Sequence, residues 1–130
     1  MDCQIDIQQR PDHLHVRVSG ERTLETGRLV VEAVAAACRE HGISRVLIDA
    51  TSWGQPLSTF DLYELVSFHY MRAFPGTVSR AAIVEAPDNF DPTKFHETVA
   101  RNWGLDLREF RELDHAVGWL AEEYRRPGIA

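Results

Sequence analysis

The sequence predicts an α/β fold: a single open, mixed and mostly parallel sheet built in the order ββαβαβαβα. Three observations predict it. Two short segments near the start alternate apolar and polar residues, two later segments carry consecutive apolar residues and a third short strand follows them, and helical stripes separate the later segments one by one. Strands separated by single helices imply right-handed crossovers between parallel neighbours, and the opening hairpin adds the first strand antiparallel. The chain has 130 residues, 44% of them hydrophobic and 26% charged. That composition suits one globular domain with its own core, and the reading is a domain over 1–124 with a flexible tail at 125–130.

The elements follow in order. Cys3, Ile5 and Ile7 alternate with Gln4, Asp6 and Gln8, and beyond Pro11-Asp12 the residues Leu14, Val16 and Val18 alternate with His15 and Arg17. Period two on both sides of a turn gives a hairpin with one buried face. From Leu24 to His41, Val31, Val34, Ala35 and Cys38 form a one-sided stripe that stops at Gly42, the residue expected of a left-handed cap. Arg45 to Ala50 reads as a buried strand. A turn-rich loop, Thr51 to Leu57, leads into a second helix from Thr59 to Phe74, ended by Pro75-Gly76. Val78 to Glu85 is the next strand. Asp91-Pro92 opens a third helix as N-cap and first helical residue, and that helix ends at Trp103-Gly104. Leu105 to Phe110 is the last strand, and Asp114 to Tyr124 the last helix.

In this order, the opening hairpin, the strands Arg45-Val46-Leu47-Ile48-Asp49 and Ala81-Ala82-Ile83-Val84, and the run from Asn102-Trp103-Gly104-Leu105 through Phe110 to Trp119-Leu120 carry a family likeness. The chain resembles the SpoIIAA-like branch of the STAS superfamily, related to anti-sigma-factor antagonists and associated with Sec14-type domains. In anti-sigma-factor antagonists a serine that follows an aspartate at the start of the second helix is phosphorylated by a partner kinase. The corresponding pair here is Leu57-Ser58. The hydroxyl is kept and the acid is absent.

The resemblance therefore implies a bacterial, non-enzymatic domain that works by protein–protein contact, with Ser58 as candidate regulatory phosphosite. The residues alone give Ser58 a second reading, as a helix cap with Asp61 three positions on. Loop 51–57 lies beyond the carboxyl end of a central strand, where open α/β sheets bind their ligands. A binding surface is expected from Trp53, Pro56, Ser58, Phe60 and Met71, with Phe60, Glu64, Ser67 and Met71 as one helical stripe. The other reading of these aromatics is plain packing. The expected partner is a protein or a second copy in a homodimer. The alternative is carriage of a small apolar ligand or lipid between the sheet and the second helix.

Enzyme chemistry finds less support. Phosphate-binding glycine loops, nucleophile elbows and metal-ligand motifs are absent, and no cofactor is expected. His13 and His15 share a strand face near Asp6 and read as solvent-facing residues before they read as metal ligands. His69 reads as a core histidine, Cys38 beside His41 as a buried thiol, and Asp49 as a carboxylate serving loop N–H groups. Lys94, the only lysine, reads as a surface residue. A formal charge of −6 with scattered arginines argues against nucleic-acid binding, which needs clustered positive charge. No apolar run reaches the roughly 20 residues of a membrane span. A start of Met-Asp-Cys-Gln shows no secretory signal, so a cytoplasmic location is expected.

Overall fold

The computed structural model describes residues 3–122. Five strands, β1 (Cys3–Gln9), β2 (Leu14–Gly20), β3 (Arg45–Trp53), β4 (Arg80–Val84) and β5 (Leu107–Phe110), form one sheet in sequential order. β1 pairs antiparallel with β2, and every other neighbour is parallel. The expected architecture is the one observed, a five-stranded mixed sheet with intervening helices.

Sequential strand order fixes where the helices lie. Crossovers of one hand that always step in the same direction across a sheet must all pass over the same face. Helix α1 (Leu24–His41), the second helix α2 (Thr59–Glu64, continued through Leu65–Tyr70 and Met71–Ala73) and helix α3 (Phe95–Asn102) accordingly cover one face, where Val16, Val18, Val46, Ile48, Ile83 and Leu107 meet Val34, Leu65, Val66 and Val99. Helix α4 (Leu113–Ala121) leaves the last strand and covers the other face through Ala116, Trp119 and Leu120 against Leu47, Ala82 and Val84. The central strands β3 and β4 are thus buried on both sides, which explains their unbroken apolar runs. β1 and β2 keep a polar outer face with Asp6 opposite Arg17, and so alternate.

Local chemistry sets the helix ends. Thr23 accepts from the Thr26 backbone N–H while the Thr26 hydroxyl accepts from the Thr23 N–H, closing a reciprocal cap at α1. Gly42 ends the helix at φ 66°. α1 lies close to α2 at Gly27, where an added Cβ would stand 3.1 Å from a Leu65 methyl.

The start of the third helix differs from the sequence reading. α3 begins at Phe95, because the Asp91 carboxylate takes the Thr93 N–H and hydroxyl into a tight turn and also accepts from the Phe95 N–H. Lys94 is then left at φ 56° before the first helical residue. The expected tail, 125–130, and the last residues of the final helix lie outside the described residues.

Leu47 is fully enclosed in the smaller of the two cores. Leu47→Ala should lower stability by about 2–5 kcal/mol, read as a lower urea midpoint at unchanged slope.

Candidate functional site

The second helix, α2, is where the structure departs most from a regular pattern. It runs as α-helix over Thr59–Glu64, widens to a π-helical stretch over Leu65–Tyr70, and closes with an α turn at Met71–Ala73. Ser58 caps it, its hydroxyl accepting from the Asp61 N–H at 3.1 Å. The Ser67 hydroxyl donates to the Tyr63 carbonyl at 2.7 Å, a side-chain bond that competes with the regular ladder. A π turn bonds i to i+5 and so inserts one residue into the helical repeat. Leu65 and Val66 are buried as a 3.6 period requires, but the next inward residues are Tyr70 and Phe74 instead of His69 and Ala73.

This slip rearranges the expected stripe. Phe60 is 77% exposed, Tyr63 and Phe68 are each 50% exposed, and Met71 turns back against the core. His69 is half-buried, set edge-on to Phe68 with ring centroids 5.0 Å apart, and the Arg72 guanidinium lies 4.9 Å over the Phe68 ring. Of the five surface residues expected from sequence, Pro56, Ser58 and Phe60 are exposed, and Met71 is partly buried. Trp53 is inside. Its indole N–H donates to the Glu21 carbonyl at 3.0 Å, and the Arg22 guanidinium lies 4.9 Å over its ring. β3 runs three residues past Ala50, which carries this indole into the core.

Beneath α2, at the carboxyl ends of the strands, lies a buried polar cluster that sequence reading missed. Arg22, just past β2, holds Glu85, just past β4, through two bonds of 2.8 and 2.9 Å. It also donates to the Trp53 carbonyl at 2.7 Å. Gly54 lets the loop pass close by: a Cβ there would meet the Arg22 backbone nitrogen at 3.0 Å, and φ is +37°. Tyr70 and His96 are hydrogen-bonded at 2.9 Å with both groups buried. Burial pushes His96 down to about 3, with Arg22 adding to the shift, so the imidazole is neutral. Burial also raises the Tyr70 phenol.

Glu109 completes the cluster from β5. Its side chain is 4% exposed, the His96 Nδ1 stands 4.0 Å from Oε2, beyond hydrogen-bond reach, and Oε1 has no partner. Burial first, then the acids Glu85, Asp91 and Glu97, push its carboxyl up to about 7 against the opposing charge of Arg22. An enclosed cavity of about 60 Å³ sits between this cluster and α2, walled by Val30, Val31, Ile48, Leu62, Leu65 and Phe74 around a polar end of Arg22, Glu85, Tyr70 and His96. The available signal in the sequence was an acid inside each of two apolar strand segments, at Glu85 and Glu109.

The remaining candidates lie apart from this site. His13 is buried and bonded to Asp12 at 2.7 Å, not solvent-facing as expected, and its ring centroid is 6.3 Å from that of half-buried His15. Among the described residues no three metal-ligating side chains come together. Asp49 accepts from the Thr51 N–H and hydroxyl at 3.0 and 2.7 Å. Cys38 is buried and its thiol pushed up to about 11 by burial, while His41 is exposed. Lys94 is exposed.

No family model and no curated protein sequence matches the chain. Solved structures do. An anti-sigma factor antagonist from Mycobacterium paratuberculosis superposes with a TM-score of 0.61 at 16% identity, over 93% of this chain and 96% of its own. The fold is SpoIIAA-like. An uncharacterised Shewanella loihica protein described as having a SpoIIAA-like fold matches at TM-score 0.56 and 20% identity, over 92% and 94% of the two chains. The anti-sigma factor antagonist SpoIIAA in its unphosphorylated form matches at 0.54 and 13%, over 90% and 96%. On this SpoIIAA-like frame the exposed aromatics, the Ser58 cap and the buried cluster all belong to one helix and the strand ends beneath it.

Removing one partner of the Arg22–Glu85 pair leaves a buried charge uncompensated. Arg22→Ala should cost about 3–5 kcal/mol in chemical denaturation, and the double replacement Arg22→Met with Glu85→Leu should cost distinctly less.

Proposed function

We propose that the chain is a non-enzymatic regulatory domain acting through protein–protein contacts made by loop 51–58 and α2, as a homodimer or with a protein partner, in the cytoplasm. The observation that carries this reading is the row of Phe60, Tyr63 and Phe68 left in water on one helix. Clustered exposed aromatics mark interaction surfaces, because their burial supplies more apolar contact per residue than other surface groups. The fold supports the reading, since two of the structures that share it are described as anti-sigma factor antagonists. Within this reading Ser58, exposed at the head of the same helix, is the candidate phosphosite. A phosphate there would meet the free N–H groups of the first turn, close to the aromatics.

Replacing Phe60 or Phe68 by Asp should leave the melting temperature near that of the parent, since Phe60 is 77% and Phe68 50% exposed and neither belongs to the core. The same variants should lower the mass in light scattering towards a single chain, or abolish capture of the partner by immobilised protein. Unchanged mass together with unchanged capture rejects the surface.

A second reading, carriage of a small apolar ligand, is favoured by one observation: the enclosed cavity lies between the sheet and α2. Its volume of about 60 Å³ is well below the roughly 150 Å³ that holds a benzene ring, so a lipid chain does not fit this closed form. Native mass spectrometry of the purified protein tests the reading: a co-purifying apolar adduct supports it and requires the cavity to widen around the ligand. A clean protein mass counts against the carrier.

A further inference from the structure

The Glu109 carboxyl is a buried acid with nothing to hold. Buried polar side chains are almost always hydrogen-bonded, and an exception needs a physical explanation. Its electrostatic neighbours are Glu85 from the end of β4, Asp91 from the turn before α3, Glu97 from α3 and Arg22 from the segment before α1, with the His96 Nδ1 4.0 Å away and His96 bonded in turn to Tyr70 of α2. Arg22 is the cation that opposes the acids at Glu109, and both of its terminal nitrogens are bound to Glu85. Glu97 accepts the Glu109 backbone N–H at 3.2 Å and has Arg101 at 4.0 Å, so it offers Glu109 no proton. A neutral carboxyl is tolerated in such a place. A carboxylate there is an unpaired buried charge, relieved only by water or by movement.

α3 carries the groups that face Glu109 from the next element, His96 at 4.0 Å and Glu97 on its backbone N–H. It is eight residues long, begins beside Lys94 in a left-handed conformation, and connects β5 to α2 through His96. We propose that Glu109 is a proton-operated latch: while its carboxyl is neutral, α3 seats on β5 and holds Tyr70 through His96, and on ionisation α3 lifts and frees the π-helical segment that carries Phe68. The proton leaves to solvent, His96 stays neutral, and the bonds lost are those between Tyr70 and His96 and between the Glu109 backbone N–H and Glu97. As regulation of the α2 surface this rests on the partner reading, whereas the latch itself does not.

The sign follows from linkage. The folded-state carboxyl titrates at about 7, above its ordinary 4.5. Its stabilising effect is therefore complete below the ordinary value and is lost as pH rises through about 7. Hydrogen exchange read by mass spectrometry at about pH 5 and about pH 8.5, corrected for the intrinsic rate, measures local opening directly. Protection of segments 95–102 and 65–74 should fall at least several-fold at the higher pH, while the central strands hold theirs. Glu109→Gln, neutral at every pH, should keep the low-pH protection throughout. Equal protection at the two pH values, higher protection when alkaline, or the same loss in Glu109→Gln overturns the latch. Should Glu109→Gln fail to fold, carbon NMR of the parent protein decides: a Glu109 carboxyl midpoint near 7 supports the latch, and one below about 5 overturns it. Failure of the Phe60 and Phe68 variants to change association would remove the partner reading and leave the exchange result standing.

Discussion

The pair formed by Arg22 and Glu85 ties together the segment leading into α1, the end of β3 and the end of β4. The guanidinium reaches the Trp53 carbonyl as well as the carboxylate, and lies over the Trp53 ring, so one side chain closes the carboxyl end of three adjacent strands. A buried ion pair of this kind adds little net stability, because desolvation offsets most of the Coulomb attraction. What it adds is geometry. An apolar pair would fill the same space without fixing where loop 54–58 leaves the sheet, and with it where α2 begins.

That constraint also organises the charges around it. With Arg22 committed to Glu85, the interior at this end of the sheet still holds the Glu109 carboxyl, an imidazole and a phenol, and the guanidinium bonds to none of them. The imidazole and phenol satisfy one another. Glu109 is the group left over, and its raised proton affinity comes first from burial and then from the acids Glu85, Asp91 and Glu97, which Arg22 only partly opposes.

Much of the fold was legible because it follows from periodicity. The alternation in β1 and β2 against the unbroken runs in β3 and β4 reports which strands are covered on one face and which on two, and the element order then leaves few topologies open. Of the expected surface, the exposure of Pro56, Ser58 and Phe60 was legible and that of Trp53 and Met71 was not. Loop 51–58 and the second helix were read as the functional region from the strand end and the aromatics, and Phe60 and Ser58 are exposed there. Trp53 and Met71 were misplaced for physical reasons: β3 continues past Ala50, and a helix read at 100° per residue cannot register a π turn. Arg22, His96 and Glu109 went unseen because pairing between residues 63 positions apart, as in Arg22 and Glu85, leaves no local pattern.

The π turn joins the two halves of the site. Continued as a regular α-helix from Leu65, the chain would place His69 and Ala73 inward and bring Met71 to the exposed stripe. The inserted residue instead sends Tyr70 and Phe74 into the core and leaves Phe68 in water. A single slip thus creates both the buried hydrogen bond to His96 and the outer aromatic row. Because π-helical geometry is less favourable than α, the slip is held by what it achieves inside, chiefly the Tyr70–His96 bond and the packing of Phe74. Loss of the inner bond removes part of the reason for the outer arrangement. The interior proton chemistry and the surface of α2 are therefore two readings of the same backbone irregularity, and a group that titrates within reach of His96 is placed to act on both.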